Sequence, residues 1–327
     1  MRNFLIINNN MKTAEFVSPL HPDKICDFIA DSILDAYLVE DINSRVAIEV
    51  MGGHNLVTIN GEVTSSADIN IESIVQNIVG MDYRVISNIA LQSPEIARGV
   101  DTGGAGDQGI MCGYATSSTS NFVPLEYELA RNLCRKIYAV YPYDGKTQVT
   151  INDDGGVKTV VASFQNSNSA ELLELVKTII PAQEYLINPA GQWNMGGFDA
   201  DTGLSGRKLI VDNYGPEISI GGGSYSGKDY TKVDRSGAYM ARKIAVDYLQ
   251  KYNASQVFTK LAYAIGKAEP VMAQATIVDQ DGVNKVIEIT DYDLSPAGIR
   301  EFLNLKNVKF TDTCTWGHYG NNFNWDK

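Results

Sequence analysis

Apolar residues recur every three or four positions at Ile25, Phe28, Ile29, Ile33, Leu34, Tyr37 and Leu38, which predicts an amphipathic helix early in the chain. The period then falls to two. Val46, Ile48 and Val50 alternate with other residues as in a half-buried strand, leaving Glu49 on the opposite, solvent-facing side. A hairpin is expected next, turning at Asn60-Gly61, a pair suited to a type I′ turn, with Glu62 exposed just after it; a helix around Ile74, Val75 and Ile78 follows.

The same order returns twice. A second unit has a helix through Leu125, Leu129, Cys134 and Ile137. Its hairpin turns through Asp153-Asp154-Gly155-Gly156, and its second helix includes Leu172, Leu173, Leu175 and Ile179. A third has a helix from about Asp234 to Tyr252, a hairpin turning at Asp281-Gly282, and a closing helix after Pro296. Each unit is a sheet with one face covered by helices. The predicted fold class is therefore α+β, with three similar sheet-plus-helix domains, 1–100, 101–190 and 191–327, around a pseudo-threefold axis.

Composition narrows the function classes. The chain of 327 residues is 44% hydrophobic and 20% charged, and Phe4-Leu5-Ile6-Ile7 is too short for a signal-peptide core, so a cytoplasmic protein without a membrane span is expected. Four cysteines without a C-x-x-C pair read as reduced, mostly buried thiols. The formal net charge of −12 argues against nucleic acid as partner. An acidic chain that binds an anion must concentrate its cations locally, which draws attention to Lys228/Lys232 and Arg207-Lys208.

Gly221–Ser236 joins sparse side-chain cover to two lysines and Asp234, a combination that suits a polyphosphate and its magnesium. Gly222 to Lys228 fits the P-loop pattern, except that Asp229 stands where Ser or Thr would ligate the metal. His21-Pro22-Asp23-Lys24 reads as a helix start; a phosphate site and a plain N-terminal cap explain it equally. Gly104 to Gly109 satisfies the dinucleotide pattern G-x-G-x-x-G but lacks the strand before it and the helix after it, so it is read as a glycine-rich connection carrying Asp107. Leu209-Ile210-Val211 reads as a buried strand behind Arg207-Lys208. The three histidines lack metal-ligand spacing, and no order of residues indicates a covalent nucleophile.

Taken together, these motifs resemble the S-adenosylmethionine synthetases. The matching stretches include Glu15 with His-Pro-Asp-Lys at 21–24, Gln92-Ser93-Pro94, Gly-Ala-Gly-Asp-Gln-Gly at 104–109, Asp144-Gly145-Lys146, Gly203 to Lys208 and, most specific, Gly-Lys-Asp-x-x-Lys-Val-Asp-Arg-Ser at 227–236. The resemblance implies synthesis of S-adenosylmethionine from ATP and L-methionine, with Mg2+ and K+, in a homodimer or tetramer whose active sites lie between subunits.

By position, the resemblance places His21 near the reacting C5′ end of ATP. Asp23 and Asp234 hold magnesium, and Glu49 marks the monovalent-cation site. Glu62 and Gln92 contact methionine, while Asp201 and Lys232 reach toward both substrates. Lys146, Arg207, Lys208 and Lys228 neutralise the triphosphate, with Asp144 beside the nucleoside. Trp193, where the family usually has Phe, and its neighbour Gln192 border adenine, and the Ser224 backbone borders the nucleotide. Asp107 and Glu15 favour the sulfonium. The five residues 101–105 form a shorter connection than the family's active-site loop, which implies weaker gating and a higher methionine requirement. The rival readings are a P-loop NTPase or kinase and a non-catalytic relative that binds nucleotide or S-adenosylmethionine as a sensor.

Overall fold

The computed structural model of the chain describes residues 11–93 and 103–327. The first third supplies β1 (Lys12–Val17), α1 (Pro22–Glu40), β2 (Arg45–Gly53), β3 (Leu56–Thr64), α2 (Ile71–Val79) and β4 (Arg84–Ala90). The middle third adds β5 (Gly109–Thr116), α3 (Leu125–Tyr138), β6 (Gly145–Ile151), β7 (Val157–Phe164), α4 (Ser169–Ile179) and β8 (Glu184–Ile187). The last third contains β9 (Gly203–Leu204), α5 (Leu209–Asp212), α6 (Val233–Lys251), β10 (Gln256–Tyr263), β11 (Met272–Val278), β12 (Asn284–Glu288), α7 (Pro296–Phe302) and α8 (Phe310–Thr315).

These strands form three four-stranded sheets, ordered β1-β6-β7-β8, β5-β10-β11-β12 and β9-β2-β3-β4. The first strand of each sheet is a guest from another third of the chain, paired antiparallel with the opening strand of a hairpin. The handover is cyclic: first third to second, second to third, third to first. Such a cycle gives three equivalent units around a pseudo-threefold axis. The long helices α1, α3 and α6 each cover the guest strand and its partner, which is where the apolar stripes go. Helices α2 and α4 cross over, so β4 and β8 run parallel to their neighbours. The tight turn through Gly282 makes β12 antiparallel instead.

Two local expectations fail. The first hairpin turns at His54-Asn55, where φ is 52° and 62°, and Gly53 pairs with Leu56 across it. Asn60-Gly61 lies inside β3 instead, because a Cβ at Gly61 would sit 2.2 Å from the Ala47 carbonyl oxygen; the glycine permits close strand approach. Leu209-Ile210-Val211 forms the helical turn α5, with Ile210 exposed, instead of a strand. The other helices and both later hairpins fall where the apolar pattern puts them, and all four cysteines are free and buried.

Helix α1 carries a feature that a hydrophobicity reading passes over. Asp23, Asp27, Asp31 and Asp35 recur every four residues, so they share one slowly turning face. That face points inward. Asp23 accepts the Leu204 amide at 2.9 Å, Asp27 the Gly206 amide at 2.8 Å and Asp31 the Gly227 amide at 2.9 Å. Asp35 takes the amides of Phe310 and Thr311 at 2.8 and 3.0 Å. Asp31 also holds Arg235 with two bonds, at 2.6 and 2.9 Å, in a pair with no solvent exposure. The cost of burying these carboxylates is offset by hydrogen bonds that fasten the last third of the chain to α1.

Candidate active site

The expected site residues fall into two groups, both anchored on α1. The first surrounds its N-terminus. His21 caps the helix, its Nδ1 accepting the Asp23 amide at 3.2 Å, and Pro22 fills the first helical position. Asp23 is fully buried and meets Lys208 Nζ at 2.5 Å and Arg207 Nε at 3.3 Å. Burial works against its charged form, yet the hydrogen bonds from Lys208 and Leu204 hold its carboxyl below the usual range. Burial first, then the charges of Lys208 and Lys146, push the His21 imidazole down to about 3, so it is neutral near pH 7. Asp201 also acts electrostatically on His21, from an exposed position. Lys24 turns away from this group into the core, where Asp212 holds it at 2.6 Å and Asp27 at 3.1 Å.

Next to this group is a corner built by Gln165. Its Oε1 accepts the Asp144 amide at 3.3 Å and its Nε2 donates to the Asn194 carbonyl at 3.0 Å. The half-buried Trp193 and exposed Gln192 belong to the same segment, and the Gly197 amide closes on Asp144 at 2.9 Å. Burial raises the Asp144 carboxyl, against the Gly197 bond. Exposed Lys146 lies in β6 opposite Val17, two residues along β1 from the equally exposed Glu15.

The second group lies beside Asp31, eight residues further along α1 and so roughly 12 Å from Asp23. Lys228 Nζ meets Asp234 at 2.7 Å, and Lys232 Nζ meets the buried Asp229 at 2.5 Å. Lys228, Lys232 and Asp234 line a cavity of about 430 Å³ together with Glu62, Gln92 and Asp107. Gln92 Oε1 and Thr231 Oγ1 are buried there with no hydrogen-bond partner among the described residues. Nearby Ser224 has a buried hydroxyl in the same condition. Glu49, on the outer face of β2, accepts the Ser205 hydroxyl at 2.6 Å; burial raises its carboxyl, partly against Ser205 and Lys228.

The glycine-rich segment is not a P-loop. Lys228 forms an isolated bridge with Ala47, and the next helix starts only at Val233. Gly104 to Gly109 runs into strand β5, as the rejected dinucleotide pattern would not. Asp101 and Thr102 of the connection expected to be short, together with Pro94, lie outside the described residues.

Sequence reasoning gave no role to Asp27, Asp31, Asp212 or Arg235 and read Asp229 only as a misfit to the P-loop pattern, yet all five hold the site's frame. The four-residue aspartate spacing on α1 was the available signal. No group of three or more His, Cys, Asp or Glu among the described residues is placed to hold a metal unaided. Asp23 and Asp234 are nonetheless hard oxygen donors beside cations, and one or two carboxylates with substrate phosphates are what magnesium ordinarily uses. The donor set fits a metal arriving with a polyphosphate.

Comparison with known proteins agrees over the whole chain. Residues 9–98, 102–193 and 195–327 match the family models of the N-terminal, central and C-terminal domains of S-adenosylmethionine synthetase. An S-adenosylmethionine synthase of Borreliella afzelii is 40% identical over 379 aligned residues, covering 99% of this chain and 96% of its own length. One from Mycoplasmopsis pulmonis is 40% identical over 357 residues, covering 96% and 94%. The solved structure of an S-adenosylmethionine synthetase from Campylobacter jejuni superposes with a TM-score of 0.85 at 32% identity, covering 97% of this chain and 96% of that one. Motifs, cyclic three-unit fold and full-length likeness agree: the chain belongs to the S-adenosylmethionine synthetase family.

Proposed function

We propose that the chain makes S-adenosylmethionine from ATP and L-methionine, the sulfur attacking ATP C5′ in line and the triphosphate being cleaved to pyrophosphate and phosphate before release. The observation that carries this is the cavity where Gln92 Oε1 and Thr231 Oγ1 lie buried, without a partner among the described residues, between the acids Glu62 and Asp107 and the cation Lys232. An amino acid brings the ammonium and carboxylate such a cavity lacks. A thioether is already nucleophilic, so no general base is required and the neutral His21 is no obstacle.

The protein's work is alignment and charge stabilisation. Lys146, Arg207, Lys208 and Lys228 receive the triphosphate, and Lys232 and Asp201 bridge toward methionine. Asp144, Gln192, Trp193 and the Ser224 backbone border the nucleoside, and His21 borders C5′. Asp107 and Glu15 offset the developing sulfonium. Members of this family use a divalent metal and a monovalent cation. Here Asp23 and Asp234 would hold Mg2+ and Glu49 would lie at K+; the magnesium would neutralise phosphate charge.

The two groups act as halves of one site completed by a second copy of the chain in a cytoplasmic homodimer. Their separation along α1 supports this. So does the outer face of the β9-β2-β3-β4 sheet, where Met51, Ile86 and Leu204 are exposed around Glu49. No described helix is long and apolar enough to cross a membrane.

The test is product analysis with ATP, methionine, Mg2+ and K+. S-Adenosylmethionine, pyrophosphate and phosphate should form together and only with methionine, and Lys228→Ala should lose roughly 100- to 1,000-fold in rate. ADP formed without methionine would reject the reading.

A further inference from the structure

The pseudo-threefold creates three clefts between units. Two contain the groups above. The third, between the middle and last thirds, holds a cavity of about 480 Å³ that the proposed reaction does not use. That is the size of a small-molecule pocket.

One wall is aromatic. Tyr114 on β5 pairs directly with Phe258 on β10, their ring centroids 4.8 Å apart. Leu125 and Ile151 line the cavity from the other unit. Glu126, in the first turn of α3, also lines it while being only 3% exposed. Its carboxylate accepts from its own backbone amide and from no other described residue, and Lys12, whose charge it feels, forms no ion pair with it. Burial favours the protonated form of this carboxyl, and a cation seated beside it would restore the charged form. Glu217 at the rim adds a second negative charge, and aromatic faces attract cations as well as apolar groups.

We propose that this third cleft binds a small organic cation, an ammonium or guanidinium on an apolar body, with its charged end at Glu126 and its body against Tyr114 and Phe258. An anion would meet three carboxylates, Glu126, Asp153 and Glu217, against the one cation Lys12 among the lining residues. A purely apolar ligand would leave Glu126 with no ion-pair partner among the described residues, Lys12 acting on it only from a distance. The site is separate from the ATP and methionine pockets and does not depend on the reaction assigned above.

Isothermal titration of the full-length protein with 2-phenylethylammonium chloride tests this, with sodium 3-phenylpropionate as the anion of similar shape. The ammonium should bind saturably, and Glu126→Gln should weaken it about tenfold, the loss expected for one charged hydrogen bond. Glu62→Gln, in the proposed methionine cavity, should leave it unchanged, and the anion should not bind. Circular dichroism checks that Glu126→Gln folds; if it does not, Glu217→Gln at the exposed rim should still weaken binding about two- to threefold. No saturable binding, equal binding of the anion, or loss confined to Glu62→Gln would overturn the proposal.

Discussion

Asp229 and Lys232 are joined at 2.5 Å, and the same buried carboxylate takes the Val46 amide at 2.7 Å and the Thr231 amide at 2.8 Å. The residue that spoils the P-loop pattern therefore has its own task. It fastens the glycine-rich segment to β2 and holds the Lys232 ammonium at the edge of the proposed methionine cavity. Asp229→Ala would leave two amides and a cation without their acceptor. Activity should fall about 100-fold, with a loss of about 3 kcal/mol in urea unfolding. Asp229→Asn, which keeps an acceptor, should lose less stability than activity. Equal activity in Asp229→Ala and the parent chain would contradict this role.

Gly203 makes a second, purely steric prediction. A Cβ there would lie 2.1 Å from the Pro22 carbonyl oxygen and 2.7 Å from the Asp23 amide, and neither backbone group can swing aside. Gly203→Ala should push β9 off the start of α1 and pull Leu204 from Asp23, misplacing Lys208 and Arg207. The expected result is a rate loss of about 100-fold, because misplacement by an ångström is enough. The circular dichroism spectrum should stay near that of the parent. Retained turnover would show that the contact between β9 and α1 does not set the site's geometry.

The buried His318 gives a pH signature. Burial, helped by the charges of Arg235 and Lys24, pushes its imidazole well below the ordinary value, and its Nδ1 lies 2.9 Å from the Tyr239 hydroxyl. The folded state therefore binds no proton there near neutrality, whereas the unfolded chain binds one below about pH 6.5. The unfolded state holds more protons in that window, so this group's contribution is full above pH 6.5 and is lost as pH falls. Between pH 7.5 and 5.5 the parent should lose about 1.4 kcal/mol more than His318→Asn. Chemical unfolding at the two pH values measures it; identical losses would show that His318 protonates in the fold.

Much of this architecture is legible in the sequence because apolar periodicity is a strong signal over long helices such as α1 and α6. The exceptions have physical causes. Asn55 supplies the left-handed conformation a tight turn needs as well as Asn60-Gly61 would, and the pairing of β2 with β3 decides between them. Leu209-Ile210-Val211 is too short for periodicity to separate a strand from a helical turn. Strand exchange leaves no local trace, since β1, β5 and β9 find partners far along the chain. Motif likeness points to the cations and acids that would touch substrate. The buried acids behind them, Asp27, Asp31 and Asp229, look on paper like a solvated face. Only packing shows that they accept backbone amides.

In the proposed dimer the two groups on one helix serve opposite halves of an ATP site shared by paired chains. Mixing two inactive variants, Lys146→Ala from the first group and Lys228→Ala from the second, tests it most directly. After unfolding and refolding together, half of the pairs should be mixed, each with one intact site, so about one quarter of the parent's S-adenosylmethionine synthesis should return. Activity that stays at the sum of the two variants alone would place both groups in the same chain's site and contradict the claim.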